Sequence, residues 1–211
     1  KREKAKAILK EIVEDNISQN LKIKAKLLLV SITGKSIKEI LPDRIEGIEK
    51  NVLAELYFKY ALNCDEEGDI ETAVKYYKKC VETSQDPKIN QYLSSTLTNL
   101  ATIFDENGKS DLAIKYLQES LRLDEITQNN NGIYVSSMKL AEINTNKAPE
   151  KSIEYLKRAK NCAIELNEPF YIASSDVALG DFYYNRKDYT NALKYYKQAY
   201  TLAKDNFTKD N

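Results

Sequence analysis

The sequence predicts an all-α protein, an α-solenoid of stacked antiparallel helix pairs, and three observations carry that expectation. Apolar residues recur at 3.6-residue spacing in windows dominated by Ala, Leu, Ile, Lys and Glu. Four Pro and six Gly in 211 residues supply too little turn chemistry for an all-β fold. Four segments also repeat: Thr72-Ala73-Val74-Lys75-Tyr76-Tyr77-Lys78, Leu112-Ala113-Ile114-Lys115-Tyr116-Leu117-Gln118, Lys151-Ser152-Ile153-Glu154-Tyr155-Leu156-Lys157 and Asn191-Ala192-Leu193-Lys194-Tyr195-Tyr196-Lys197. Their small residues fall at 73, 113, 152 and 192, in steps of 40, 39 and 40, the regularity expected of one structural unit used four times.

Residues 1–50 are the least regular part and read as an N-terminal helical cap or degenerate repeat ahead of four repeats in 51–211. Ala5, Leu9 and Ile12 have the spacing of a second helix, and Leu21 to Ile32 that of a first helix. Gly34 and Pro42 then interrupt the pattern around Ser36-Ile37-Lys38-Glu39-Ile40-Leu41-Pro42. An end unit with one uncovered face is what a repeat array needs there. This stretch carries 12 basic and 8 acidic residues, an excess too small to indicate a nucleic-acid surface.

From residue 51 onward each repeated segment is preceded by a second helical pattern holding a small residue after a large one: Tyr60-Ala61, Leu100-Ala101, Leu140-Ala141 and Leu179-Gly180. Turn-forming runs separate the two: Glu67-Gly68-Asp69, Asn107-Gly108-Lys109 and Asn185-Arg186-Lys187-Asp188. The repeat is therefore helix, turn, helix. Small residues on both helices let the backbones approach, while Tyr77, Leu117, Leu156 and Tyr196 fill the space beside them.

These patterns resemble the tetratricopeptide repeat (TPR) over about residues 51–204. The family's small–aromatic–small spacing in the second helix is matched by Ala73/Tyr77/Cys80, Ala113/Leu117/Ser120, Ser152/Leu156/Ala159 and Ala192/Tyr196/Ala199, and its first-helix pattern by the large–small pairs followed by Cys64, Phe104, Asn144 and Tyr183. The resemblance implies a right-handed superhelix. A step near 40, against about 34 for the common repeat, implies longer helices, as in the TPR domains of peptide-sensing regulators from Gram-positive bacteria. HEAT-like arrays share that step, but small–aromatic pairing on both helices favours the TPR reading.

Function in such an array is sought on its surfaces, because the core is committed to stacking. With Ala61 against its partner helix, a step of 100° per residue directs Glu55, Lys59, Leu62 and Glu66 away from it. The equivalents are Ser95, Asn99, Thr102 and Glu106, then Val135, Lys139, Glu142 and Asn146, then Ser174, Ala178, Asp181 and Asn185. The resemblance places this stripe on the concave face and implies that Asn99 grips a peptide backbone, as the Asn at that place does in the family. Lys59 and Lys139 supply part of a carboxylate clamp. Five carboxylates against two ammonium groups disfavour phosphate or RNA and leave a peptide or protein segment of mixed or basic character as the expected ligand.

Composition removes other functions. With no His among 32 basic and 32 acidic residues, a Ser-His-Asp triad is absent and the commonest metal ligand is missing. No Gly-rich phosphate loop, metal-ligand spacing or nucleophile–base pair appears, so neither cofactor nor enzymatic activity is expected. Cys64, Cys80 and Cys162 lack a C-x-x-C spacing and read as buried reduced thiols of a cytoplasmic protein. The 15 Tyr recur at the repeat step as packing residues, and Asp65-Glu66-Glu67 and Asp105-Glu106 as turn-associated charges. No stretch is apolar enough to span a membrane. Since the chain begins without Met and ends in a polar run, the reading is of a piece of a larger regulatory protein. The alternative is an assembly or self-association scaffold, a homo-oligomer working through its convex face.

Overall fold

The computed structural model describes residues 2–14, 18–33, 41–42 and 45–207. These hold ten helices and no strand: α1 (Arg2–Glu14), α2 (Gln19–Thr33), α3 (Lys50–Glu66), α4 (Ile70–Thr83), α5 (Leu93–Glu106), α6 (Ser110–Ile126), α7 (Asn130–Asn144), α8 (Pro149–Leu166), α9 (Pro169–Asn185) and α10 (Tyr189–Phe207). The fold is all-α, as the sequence predicts. Two compact units, Lys1–Ile103 and Phe104–Asn211, divide the chain. Within each, helices consecutive in sequence pack on one another: α1 on α2, α2 on α3 and α3 on α4 in the first; α6 on α7, α7 on α8, α8 on α9 and α9 on α10 in the second.

The hairpins form where local chemistry stops one helix and starts the next. Gly68 ends α3 at φ +81°, a left-handed conformation a Cβ would strain, and the Asp69 carboxylate then caps α4 by accepting from Thr72 N at 3.2 Å. At the α9/α10 turn Lys187 takes the left-handed position itself, at φ +62°. Asp188 accepts from Asn191 N (3.1 Å) and Asn191 Nδ2 (2.6 Å), and these bonds hold its carboxyl below the usual value. Pro149 and Pro169 open α8 and α9, where a missing N–H costs nothing.

The small positions read from the sequence lie in the core. Ala61, Ala73, Ala101, Ala113 and Ser152 are wholly buried, as are Tyr77 and Cys80. Gly180 admits no side chain, because a Cβ there would lie 2.5 Å from the Tyr196 ring. Aromatic stacks recur with the repeat: Tyr116 on Phe104 (5.5 Å) and Tyr195 on Tyr183 (5.6 Å), both near-parallel. Where Cys64 replaces the ring, Tyr76 packs edge-on to Tyr60 at 4.5 Å instead. All three Cys are free and buried, and burial pushes the Cys80 and Cys162 thiols up, away from the reactive thiolate.

The 40-residue step is not met everywhere by longer helices, which corrects the expectation for the first hairpin. In the second unit α6, α8 and α10 do run 17, 18 and 19 residues. In the first, α4 has 14 residues and the extra length lies in the connection 84–92. Asn90, wholly buried, holds this connection: its Nδ2 donates to Cys80 O (2.8 Å) and Ser84 O (3.2 Å), and its Oδ1 accepts from Tyr92 N (3.2 Å). Asn90→Ala removes the side-chain partner of one buried carbonyl, one part-buried carbonyl and a part-buried amide, so urea unfolding is expected to show a loss of about 1–2 kcal/mol.

At the N-terminus, α2 buries Ile23, Ala25 and Leu27. Asn20 ties it to the start of α3, donating to Glu49 Oε1 (3.1 Å) and accepting from Glu49 N (3.0 Å). Most of the predicted break, Gly34 and Ser36 to Ile40, lies outside the described residues.

Candidate functional site

Several inner-face positions of the first unit are already paired within that unit. Lys59 Nζ pairs with Glu55 at 2.8 Å one helical turn away, leaving both half-buried. Asn99 Nδ2 donates to Tyr77 Oη at 2.9 Å, and that hydroxyl donates to Asp65 Oδ2 at 3.4 Å, so α5 is linked through α4 to the end of α3. Burial raises the Tyr77 hydroxyl far above its ordinary value and keeps it protonated as the middle of this relay. Phe58 stacks on Tyr92 at 4.9 Å, and Tyr92 is raised by burial and by the nearby Glu55. Thr102 donates to Thr98 O at 3.1 Å, Leu62 is half-buried and Glu66 is exposed at the end of α3; Glu106, exposed at the end of α5, falls in the second unit.

The second unit contains a cavity of about 350 Å³ lined by Met138, Lys139, Glu142, Thr145, Leu156, Ala178, Asp181, Phe182 and Asn185. Five of these, Lys139, Glu142, Ala178, Asp181 and Asn185, are inner-face positions picked out by the 100° step. They come from α7 and α9, the first helices of successive repeats, and Leu156 comes from α8, which packs on both. Val135, Asn146 and Ser174, also in the predicted stripe, do not line it; Asn146 lies beyond the end of α7. Lys59, Asn99 and their neighbours belong to the first unit and Lys139 to the second.

The cavity has an apolar side and a charged side. Leu156 and Phe182 belong to a buried cluster with Ala141 and Leu179, against which Met138 and Ala178 pack, so the apolar side is continuous with the core. Lys139, Glu142 and Asp181 supply the charge, two carboxylates to one ammonium. Asp181 is held in place by Tyr196, whose Oη donates to Oδ1 at 2.6 Å; that bond pushes the Tyr196 hydroxyl up to about 12, so it stays a donor at neutral pH. Sequence reasoning missed Met138, Thr145 and Phe182 as lining residues, and treated Tyr196 as packing alone. The signal was present in the i, i+4, i+7 spacing of 178, 182 and 185 along α9. Among the described residues no His/Cys/Asp/Glu group could hold a metal ion, and no helix is long and apolar enough to cross a membrane.

Two family models of the tetratricopeptide repeat match the chain, one over residues 54–87 and 94–127, the other over 177–209. These segments are tetratricopeptide repeats. The first two matched TPR spans start 40 residues apart, the same step read from the sequence. The chain is 34% identical over 91 residues to the photosystem I assembly protein Ycf3 of Prochlorococcus marinus (strain MIT 9312), covering 43% of this chain and 49% of that protein. It thus spans about half the length of the curated relatives it matches. Among solved structures it superposes on BtubC (BKLC) from P. vanneervenii with a TM-score of 0.80 and 17% identity, over 97% of this chain and 91% of that one. It superposes on a Rap protein complexed with competence and sporulation factor at 0.61 and 17%, over 97% and 61%. At such identities these likenesses speak to the TPR fold alone. TPR folds are in general non-catalytic modules of protein–protein interaction.

Proposed function

We propose that this chain binds an extended peptide or protein segment along its first-helix faces, within the described residues at the α7/α9 cavity. The observation that carries the reading is the convergence of Lys139, Glu142, Ala178, Asp181 and Asn185 on one concave site. Asp181, held by Tyr196 beside a packed core, is already in place, so a ligand gains that contact without the receptor having to order it. Residues 1–50 serve as an N-terminal helical cap or degenerate repeat, and 51–211 as the four working repeats. The likeness to a Rap protein complexed with competence and sporulation factor supports a sensor role in a larger cytoplasmic regulator. The excess of carboxylates around the cavity argues against a direct nucleic-acid ligand.

The test is a fluorescence titration of the chain with peptides selected on it by display, repeated with Lys59→Glu, Asn99→Ala and Lys139→Glu. Lys139→Glu is expected to change affinity most, by roughly tenfold, because it reverses a charge at the cavity itself. Lys59→Glu and Asn99→Ala act more weakly, since those side chains already serve Glu55 and Tyr77. Unchanged affinity in all three rejects the site.

One observation favours a second reading, self-association with another copy of the chain: Tyr189, Leu193 and Tyr200 form an exposed apolar row on α10, each more than half accessible. The partial match to a photosystem I assembly protein is in keeping with an assembly role. A dimer that survives dilution in light scattering, and is lost in Leu193→Glu/Tyr200→Glu, supports this reading; a monomer at every concentration removes it.

A further inference from the structure

We infer that the α7/α9 cavity is a pocket for a single cationic side chain, lysine or arginine, of the bound segment; this rests on the peptide-binding reading above and adds to it what the site selects. A volume of about 350 Å³ lies at the low end of the roughly 300–1,000 Å³ typical of small-molecule sites, which suits one side chain better than a cofactor. The lining is matched to a side chain of two characters. Met138, Leu156, Ala178 and Phe182 offer an apolar surface for a methylene stem, and Glu142 and Asp181 offer carboxylates for a charged head.

An apolar side chain would fill the floor but offer the two carboxylates no charge of opposite sign, and an acidic one would add a third negative charge. A cation answers both sides at once. Lys139 does not reverse this preference, because one ammonium cannot neutralise both carboxylates of the lining, and the neighbouring Arg186 guanidinium is engaged elsewhere, stacked on the Phe182 ring and donating to Phe182 O and Thr145 O. Asp181 is suited to the task. Tyr196 occupies one of its oxygens from outside the lining, which fixes the carboxylate's direction, and a carboxylate has further lone pairs for a guanidinium or ammonium donor. The lone ammonium serves a second purpose, repelling a second cation and favouring an acidic residue or a chain-terminal carboxylate beside the inserted one.

The chain supplies its own reporter, since Met138 is its one methionine and lines the cavity. With the methionine methyl labelled with carbon-13, a single resonance reads occupancy of this cavity. The probes are N-acetyl-lysine amide, N-acetyl-arginine amide, N-acetyl-norleucine amide and N-acetyl-glutamate amide, each titrated into the full chain. The lysine or arginine compound is expected to shift the Met138 signal at concentrations at which the norleucine and glutamate compounds do not. The exposed, near-isosteric pair Glu142→Gln/Asp181→Asn is expected to weaken that response roughly tenfold, and Lys139→Gln, which adds no second methionine, to strengthen it. A response led by the norleucine or glutamate compound, or a cation response indifferent to Glu142→Gln/Asp181→Asn, overturns the inference and leaves peptide binding at the cavity intact. Silence of the signal towards all four probes and towards the display-selected peptides overturns both.

Discussion

Replacing Lys160 by Met is expected to cost the second unit about 3 kcal/mol and to lower its thermal midpoint by roughly 10 °C, one of the two largest effects expected of any single substitution described. Lys160 Nζ lies 2.5 Å from Asp176 Oδ1, and the carboxylate side chain is only 4% exposed. The lysine stem is partly exposed, its ammonium also donates to Gln198 Oε1 at 3.3 Å, and it sits 5.3 Å from the Tyr195 ring centre. Met preserves the stem and removes the charge, so the cost falls on Asp176, left as an uncompensated carboxylate inside the protein. Removing both charges should restore most of the loss, because a buried ion pair gives little beyond what apolar packing gives and is costly chiefly when halved. The repeats contain that apolar version: the equivalent positions two repeats earlier hold Val81 and Leu97. Lys160→Met/Asp176→Leu is therefore expected to unfold within about 1 kcal/mol of the parent, as read from a double-mutant cycle in urea. If Lys160→Met alone leaves the midpoint unmoved, Asp176 is reached by water and the pair is not a buried one.

That pair was invisible in the sequence for the reason that the repeats were visible. The step of 40 residues exposes positions where every copy needs the same size, and Ala61, Ala101, Ala141 and Gly180 are legible because any larger group would push the helices apart. Lys160 and Asp176 depart from their counterparts, and a departure taken alone reads as surface variation. Asn90 was missed differently, since it stands in the 84–92 connection where no periodicity exists to mark it. The cavity falls between these cases. Its charged side follows from stepping 100° along α7 and α9, whereas Leu156 enters from α8, a helix whose period carries no information about the face of its neighbours. Likewise Asn99 was read for its chemistry towards a ligand, but whether the amide is spare depends on the Tyr77 hydroxyl 22 residues away. Single-element periodicity thus recovers facing directions; it does not recover which polar groups find one another.

Gly132→Ala is the other large effect, and its sign is opposite to what helix propensity alone predicts. Gly132 lies in the first turn of α7, where exchanging Gly for Ala would ordinarily stabilise by about 1 kcal/mol. A Cβ built on it, however, falls 2.3 Å from Asp124 Cγ and 2.4 Å from each carboxylate oxygen. Asp124 belongs to α6, is 1% exposed, and cannot simply turn aside. Its Oδ1 accepts from Asn129 Nδ2 at 2.8 Å, and the same Asn129 uses its Oδ1 to accept from Gly132 N at 3.2 Å, so one side chain fixes both the carboxylate and the helix start it faces. Relieving the collision means prying α7 from α6 or breaking the Asn129 bond to a buried carboxylate. Overpacking of this kind costs roughly 1–3 kcal/mol and a lost charge-assisted hydrogen bond about as much again, which outweighs the propensity gain. The net expectation is a loss of about 2 kcal/mol by thermal or urea unfolding. The decisive measurement is the same substitution in an Asp124→Ala background, where space has been made: there Gly132→Ala should be neutral or stabilising. A stabilising Gly132→Ala in the parent chain would mean that α6 and α7, the contact between successive repeats, do not approach as closely as this packing requires.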